Sequence, residues 1–110
     1  MIKMLIFNLK KEWFEKIKSG EKTHEYREVK PYWTKRLEPI EHRLIIKPNS
    51  STPEYWTDYC YFVCGYASKD DKDKRLKARI KSISIINGKN TDLKVDKDVY
   101  DIEFELKAWR

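Results

Sequence analysis

Near its C-terminal end the chain alternates without a break: Tyr100, Ile102, Phe104 and Leu106 are apolar, and Asp101, Glu103, Glu105 and Lys107 between them are charged. Successive side chains of a strand point to opposite faces, so this period of two predicts a half-buried β-strand. Shorter stretches carry the same type of signal. Lys3 to Phe7, residues 22–29, Arg43 to Lys47 around Leu44, Ile45 and Ile46, and Tyr59 to Ala67 each read as a strand. Leu76, Ala78 and Ile80 alternate with Lys77, Arg79 and Lys81, after which the apolar phase moves to Ile83, Ile85 and Ile86; this predicts a long strand bent near Ser82. Asn87, Gly88, Lys89 and Asn90 make a turn, followed by a polar loop to Asp98.

Two short helices are expected in the N-terminal half. Leu9, Trp13 and Ile17 fall one turn apart with Phe14 beside them, Asn8 is placed to cap the start, and Lys16 and Lys18 complement the dipole at the end. Gly20 stands where a left-handed closing residue belongs. The second helix begins at Pro31, carries Trp33 and Leu37 on one side, and is expected to stop at Pro39. The fold class is therefore α+β and mainly β: one domain over residues 1–110, a small closed or nearly closed barrel of about six strands.

Composition bounds the function. With 110 residues, 40% of them hydrophobic and 14% aromatic, there is enough apolar surface for one thin core, while 38% charged residues leave most positions facing water. A net charge of +6 favours anionic partners such as nucleic acid, although 18 acidic residues are scattered among the 24 basic ones. No apolar run approaches the ~18 residues of a membrane span, and the opening residues are too short a run for a secretory signal, so a cytoplasmic protein is expected. Cys60 and Cys64 lie in one apolar strand, where four residues separate their α-carbons by about 13 Å. That exceeds disulfide reach, so both read as small buried hydrophobes, and no metal or cofactor is expected.

The stretch that concentrates chemistry runs from Trp13 to Leu37, and within it Gly20, Glu21, Lys22, Thr23, His24, Glu25, Tyr26, Arg27. A glycine turns the first helix into a strand with Thr23, Glu25 and Arg27 on one face and Lys22, His24 and Tyr26 on the other. Cation, carboxylate and hydroxyl then lie roughly 7 Å apart per pair of residues, enough for a polar binding site and equally compatible with a solvated, salt-bridged face.

This stretch resembles the signature of the ASCH family: an aromatic residue, an isoleucine, then Gly, any residue, Lys, Thr, any, Glu, any, Arg, matched here by Trp13, Ile17, Gly20, Lys22, Thr23, Glu25 and Arg27. Phe62, Val63, Cys64, Gly65 and Tyr66 look like a second element of one branch of that family. The resemblance implies a barrel of the PUA-like group, whose members largely serve RNA binding and modification. Some small relatives hydrolyse acetylated cytidine with the motif lysine, and others are reported to cleave RNA. Carried onto this chain, it makes Lys22 and Glu25 the candidate catalytic pair of a hydrolase or ribonuclease. In the amidohydrolase branch a hydroxyl residue stands where Glu25 is, and a downstream helix supplies a carboxylate; here residues 90–98 form only a short polar loop.

The first reading is thus RNA or nucleotide binding: Lys22 and Arg27 hold phosphate or a base carbonyl, Thr23 offers a hydroxyl, and Glu25 reads a donor edge or orients Arg27. Loss of Lys22 or Arg27 is expected to abolish binding with little change in melting temperature. Tyr26, Trp56 and Tyr66 are candidates to stack on bases. Lys77 and Arg79 belong to a stretch, Lys69 to Lys81, with seven basic and three acidic residues, suited to phosphate unless Glu103 and Glu105 neutralise it from a neighbouring strand. Trp13 and Trp33 are expected in the core, His24 is expected to be a hydrogen-bonded, partly buried histidine, and His42 has no assigned role. The loop from Pro48 to Tyr59 reads as a lid or a mobile segment, and Tyr55 and Trp56 in it would mark a protein-interaction module instead.

Overall fold

The computed structural model describes residues 5–46, 59–67 and 71–106. Its elements are β1 (Leu5–Leu9), α1 (Lys11–Lys18), β2 (His24–Glu28), α2 (Pro31–Ile46), β3 (Tyr59–Cys64), β4 (Arg75–Asn87) and β5 (Asp98–Leu106). The strands form one sheet in the order β1-β3-β4-β5-β2, parallel between β1 and β3 and antiparallel elsewhere. The sheet curls into a half-barrel, five strands among the described residues where about six were expected.

The missing strand is the expected one at Arg43 to Lys47. Residues 43–46 instead continue α2, which runs through Pro39 rather than stopping there, and Lys47 lies outside the described residues. A proline inside a helix removes a hydrogen bond and costs ~3 kcal/mol. The stripe Leu37, Ile40 and Leu44 offsets this: Leu37 and Ile40 are buried in the core and Leu44 packs against it.

Phe7, Phe62 and Phe104 are the centre of the core, with Phe7 and Phe62 stacked at 5.4 Å and Phe62 against Phe104 at 4.5 Å. Phe14 and Ile17 of α1 close it from one side, and the buried Tyr100 hydroxyl is satisfied by Thr34 Oγ1 of α2 at 2.8 Å. In β4 the register against β5 slips between Ile80 and Ser82, so Ile80 and Ile83 both point inward across the predicted bend. Asn8 lies in β1 and does not cap α1, whose N-cap is Lys10.

The order leaves β1 and β2 as the two edges of the sheet. They are joined by a side chain: Arg27 of β2 donates from Nη2 to the main-chain oxygen of Asn8 in β1 at 3.2 Å. Its guanidinium lies beside the stacked rings of Phe7 and Trp33, 5.1 and 4.9 Å from their centroids.

Candidate functional site

The end of α1 places the site. Gly20, at φ 87°, lets its N–H return to Ile17 O at 3.0 Å, and the N–H of Lys22 then reaches Lys16 O at 3.0 Å. Lys22 is thereby fixed under the last turn of the helix, beside Trp13 rather than on β2 itself. One residue later Thr23 O accepts from Phe104 N at 3.1 Å, and pairing with β5 begins.

An open cleft of about 350 Å³ lies here, lined by Trp13, Lys16, Glu21, Lys22, Thr23, His24, Tyr26 and Asp92. Lys22 is its centre. Only 10% of its side chain is exposed, and its ammonium stands 5.5 Å from the Trp13 ring and 5.0 Å from the Tyr26 ring. It is paired with Glu25 Oε1 at 3.5 Å and with Oδ2 of Asp92.

Asp92 comes from the loop after β4, whose path is set by its own hydrogen bonds. Thr91 Oγ1 donates to Gly88 O at 2.8 Å and accepts from Leu93 N at 3.2 Å, and Gly88 N donates to Lys97 O at 2.8 Å. The same loop region supplies Lys97, whose hydrogen bond, ahead of the attraction of Lys30, holds the Glu28 carboxyl below its ordinary value.

Glu25 is buried, and it is satisfied on both oxygens: Oε2 accepts from Arg27 Nε at 3.0 Å and Nη2 at 2.6 Å, and Oε1 faces Lys22. Burial, and after it the Glu25 charge, pushes the Cys60 thiol far above its ordinary value. Burial and then the charges of Asp101, Asp92 and Glu25 raise the Tyr26 phenol. His24 Nδ1 lies 2.6 Å from Asp101 Oδ1.

Lys22, Thr23 and Tyr26 thus meet in one cleft as candidate residues. Glu25 lies behind Lys22, and Arg27 behind Glu25, so Arg27 is a support for the cleft and not part of its lining. Tyr66 is elsewhere, 93% exposed in the turn after β3. Lys77 and Arg79 sit on β4, two strands from β2; Lys77 is buried over the Tyr59 ring at 5.0 Å, and Arg79 is in register with Glu105. Trp56, Tyr55 and the rest of the 48–58 loop lie outside the described residues, as do residues 68–70 of the basic stretch.

Three contributors escaped the sequence reading. Trp13, expected in the core, packs against it and also forms a wall of the cleft, and Asp92 brings a carboxylate to Lys22 from the loop after β4, where no downstream helix supplies one. Asp101 was counted only as an outward residue of the last strand. Its alternation did announce a side chain pointing away from the core, which is where His24 is found.

Among the described residues no group of three or more His, Cys, Asp or Glu side chains is arranged to hold a metal ion, and no helix is long and apolar enough to cross a membrane. Comparisons with protein-family models, with curated proteins and with solved structures found no match.

Proposed function

We propose that this chain is an ASCH-type domain of the PUA-like group that binds RNA or a nucleotide by taking a base into the cleft around Lys22. The observation that carries the reading is the double engagement of Lys22: its ammonium faces the rings of Trp13 and Tyr26 while Glu25 and Asp92 hold it in place. A volume of about 350 Å³ is at the lower end of small-molecule sites, the scale of one ring system. The half-buried rings of Trp13 and Tyr26 give such a ring a stacking surface, on the order of 1–3 kcal/mol per base. Lys22 then donates to a ring carbonyl, and Asp92 or Thr23 meets a donor edge. With Glu21, Asp92 and Glu25 around Lys16 and Lys22, the cleft favours the base over its phosphate.

The test is titration of short single-stranded RNA and of free nucleosides, followed by Trp fluorescence or anisotropy. Lys22→Ala and Trp13→Leu are expected to abolish binding while the fold is retained. Wild-type affinity in both variants removes the ligand from this cleft.

A second reading, hydrolysis of an amide on the base, is favoured by one specific observation: the motif lysine has two carboxylates in reach, Glu25 and Asp92, although no downstream helix supplies one. Acetate release from acetylated cytidine tests it directly.

A further inference from the structure

The polar groups that line the cleft are not equally available to a guest. Lys16 and Glu21 pair with each other at 4.0 Å on its exposed rim, and the His24 imidazole is engaged on both nitrogens, by Asp101 at 2.6 Å and by Glu103 at 3.9 Å. Lys22 and Asp92 are placed differently. The Lys22 ammonium has three protons and, among the described residues, two carboxylate partners, Glu25 and Asp92, so one N–H is open to a guest. Asp92 holds Lys22 with Oδ2, and among the described residues nothing donates to its Oδ1, on a side chain 35% exposed. The loop keeps that carboxylate in place, since Thr91 Oγ1 ties Gly88 O to Leu93 N across Asp92. In adjacent order the cleft thus presents a donor, Lys22 Nζ, and two acceptors, Asp92 Oδ2 and Oδ1.

We propose that this row selects guanine. The inference rests on the base-binding reading above and deepens it by naming the base. On its pairing edge guanine carries the carbonyl O6, the ring N1–H and the exocyclic 2-amino group, an acceptor followed by two donors, which is the complement of the row. Lys22 donates to O6, and the two N–H groups form a fork onto the Asp92 carboxylate, a bidentate, charge-assisted pairing. The other bases meet the row badly. Cytosine repeats its order of one donor and two acceptors, so its amino group faces the ammonium and its ring N3 lone pair faces a carboxylate oxygen. Adenine likewise turns an amino group to Lys22 and a lone pair to Asp92. Uracil satisfies Lys22 and one carboxylate oxygen, and sets its second carbonyl against the other. Rejection comes from unpaired polar groups and opposed lone pairs rather than from shape. The Trp13 and Tyr26 rings offer every base a stacking contact, which adds affinity without choosing among them.

The experiment titrates the full chain with the 5′-monophosphates of guanosine, inosine, adenosine, cytidine and uridine, followed by Trp fluorescence and calorimetry. The phosphate is common to all, so ratios of Kd report the base. The guanosine nucleotide is expected to bind about tenfold or more tightly than those of adenosine, cytidine and uridine, the discrimination a good bidentate contact gives. Inosine keeps the carbonyl and N1–H and lacks the 2-amino group, so its nucleotide falls between, several-fold weaker than that of guanosine. Asp92→Asn, nearly the same in size, turns one acceptor into a donor and is expected to bring these ratios to within about twofold. Equal affinities across the series, or a preference for another base, in a chain whose binding is lost in Lys22→Ala, overturn the selection of guanine and leave the base-binding reading standing. A guanine preference that survives Asp92→Asn overturns the role of Asp92. Binding unchanged in Lys22→Ala, or no binding of any member of the series, overturns both. Should Asp92→Asn fail to fold, the guanosine-to-inosine ratio of the wild type decides the matter on its own.

Discussion

Arg27 grips Glu25 through two hydrogen bonds to one oxygen, Nε at 3.0 Å and Nη2 at 2.6 Å, and so leaves the other oxygen of Glu25 turned toward Lys22. The same guanidinium ties β2 to β1 at Asn8. One side chain therefore sets the geometry of the cleft and joins the two edges of the sheet.

Arg27→Ala leaves a buried carboxylate with only Lys22 to face it and removes the link between the edges. Breaking a buried pair from one side costs about 3 kcal/mol, so the melting temperature is expected to fall by about 10 °C or more. This replaces the expectation that Arg27 could be lost without consequence for stability. Replacing both members, Glu25→Leu with Arg27→Met, is expected to cost less than Arg27→Ala alone, because no charge is left stranded. Thermal denaturation followed by circular dichroism checks both.

Asp92→Ala separates the site from the scaffold. Its carboxylate is 35% exposed, and pairs of that kind contribute about 1 kcal/mol or less, so the melting temperature is expected to move by no more than about 5 °C. Ligand binding is expected to weaken severely, since Lys22 loses one of its two restraints. Calorimetry on the folded variant measures this.

Burial keeps the Cys60 thiol protonated at pH values where an exposed thiol ionises. Its folded-state pKa lies above the unfolded value of about 8.5, so the full stability is present below that value and is lost as pH rises, when the unfolded chain sheds the proton that the folded chain keeps. Tyr26 adds a loss of the same sign above about pH 10. Urea denaturation at rising pH is expected to show the decline, and Cys60→Ala to flatten its first part. Iodoacetamide at neutral pH is expected to modify Cys64, which is half-buried, and to spare Cys60 until the chain unfolds.

For Glu28 the sign reverses. Its carboxyl is depressed by Lys97, so the stability it lends is present above the unfolded carboxylate value, about 4.3, and is lost as pH falls through the lower folded one. Lys97→Met is expected to move the Glu28 carboxyl titration back up, as seen by NMR, with a small effect on unfolding because the pair faces water.

Gly88→Ala probes the loop that carries Asp92. An added Cβ would stand 2.7 Å from Val99 Cγ1 and 3.0 Å from Val95 O, and neither can give freely: Val99 is buried, and the Val95 oxygen is main chain. A loss of roughly 1–3 kcal/mol is expected, together with weakened ligand binding, checked by denaturation and titration of the same sample.

Much of this architecture was legible in local pattern. The glycine-closed first helix, the strand at Glu25 to Arg27, the bend near Ser82 and the alternating final strand all follow from periods that a few residues establish. Pro39 and the run Leu44, Ile45, Ile46 misled for a definite reason: an internal proline and β-branched residues disfavour helix locally, whereas burial of Leu37 and Ile40 against the sheet favours it, and only the tertiary contact decides. The site was legible on one side. Lys22, Thr23, Tyr26 and Glu25 share a motif, but Asp92 is 70 residues from Lys22 and Asp101 is 77 from His24, and no spacing rule reaches across such intervals.

The two walls of the cleft have different origins, one in the helix-to-strand junction that the whole sheet depends on, the other in a ten-residue excursion anchored by Gly88 and Thr91. Exchanging Asp92 alone, between those two anchors, would change the group presented to a guest without disturbing the half-barrel beneath, so selectivity here can drift independently of foldability.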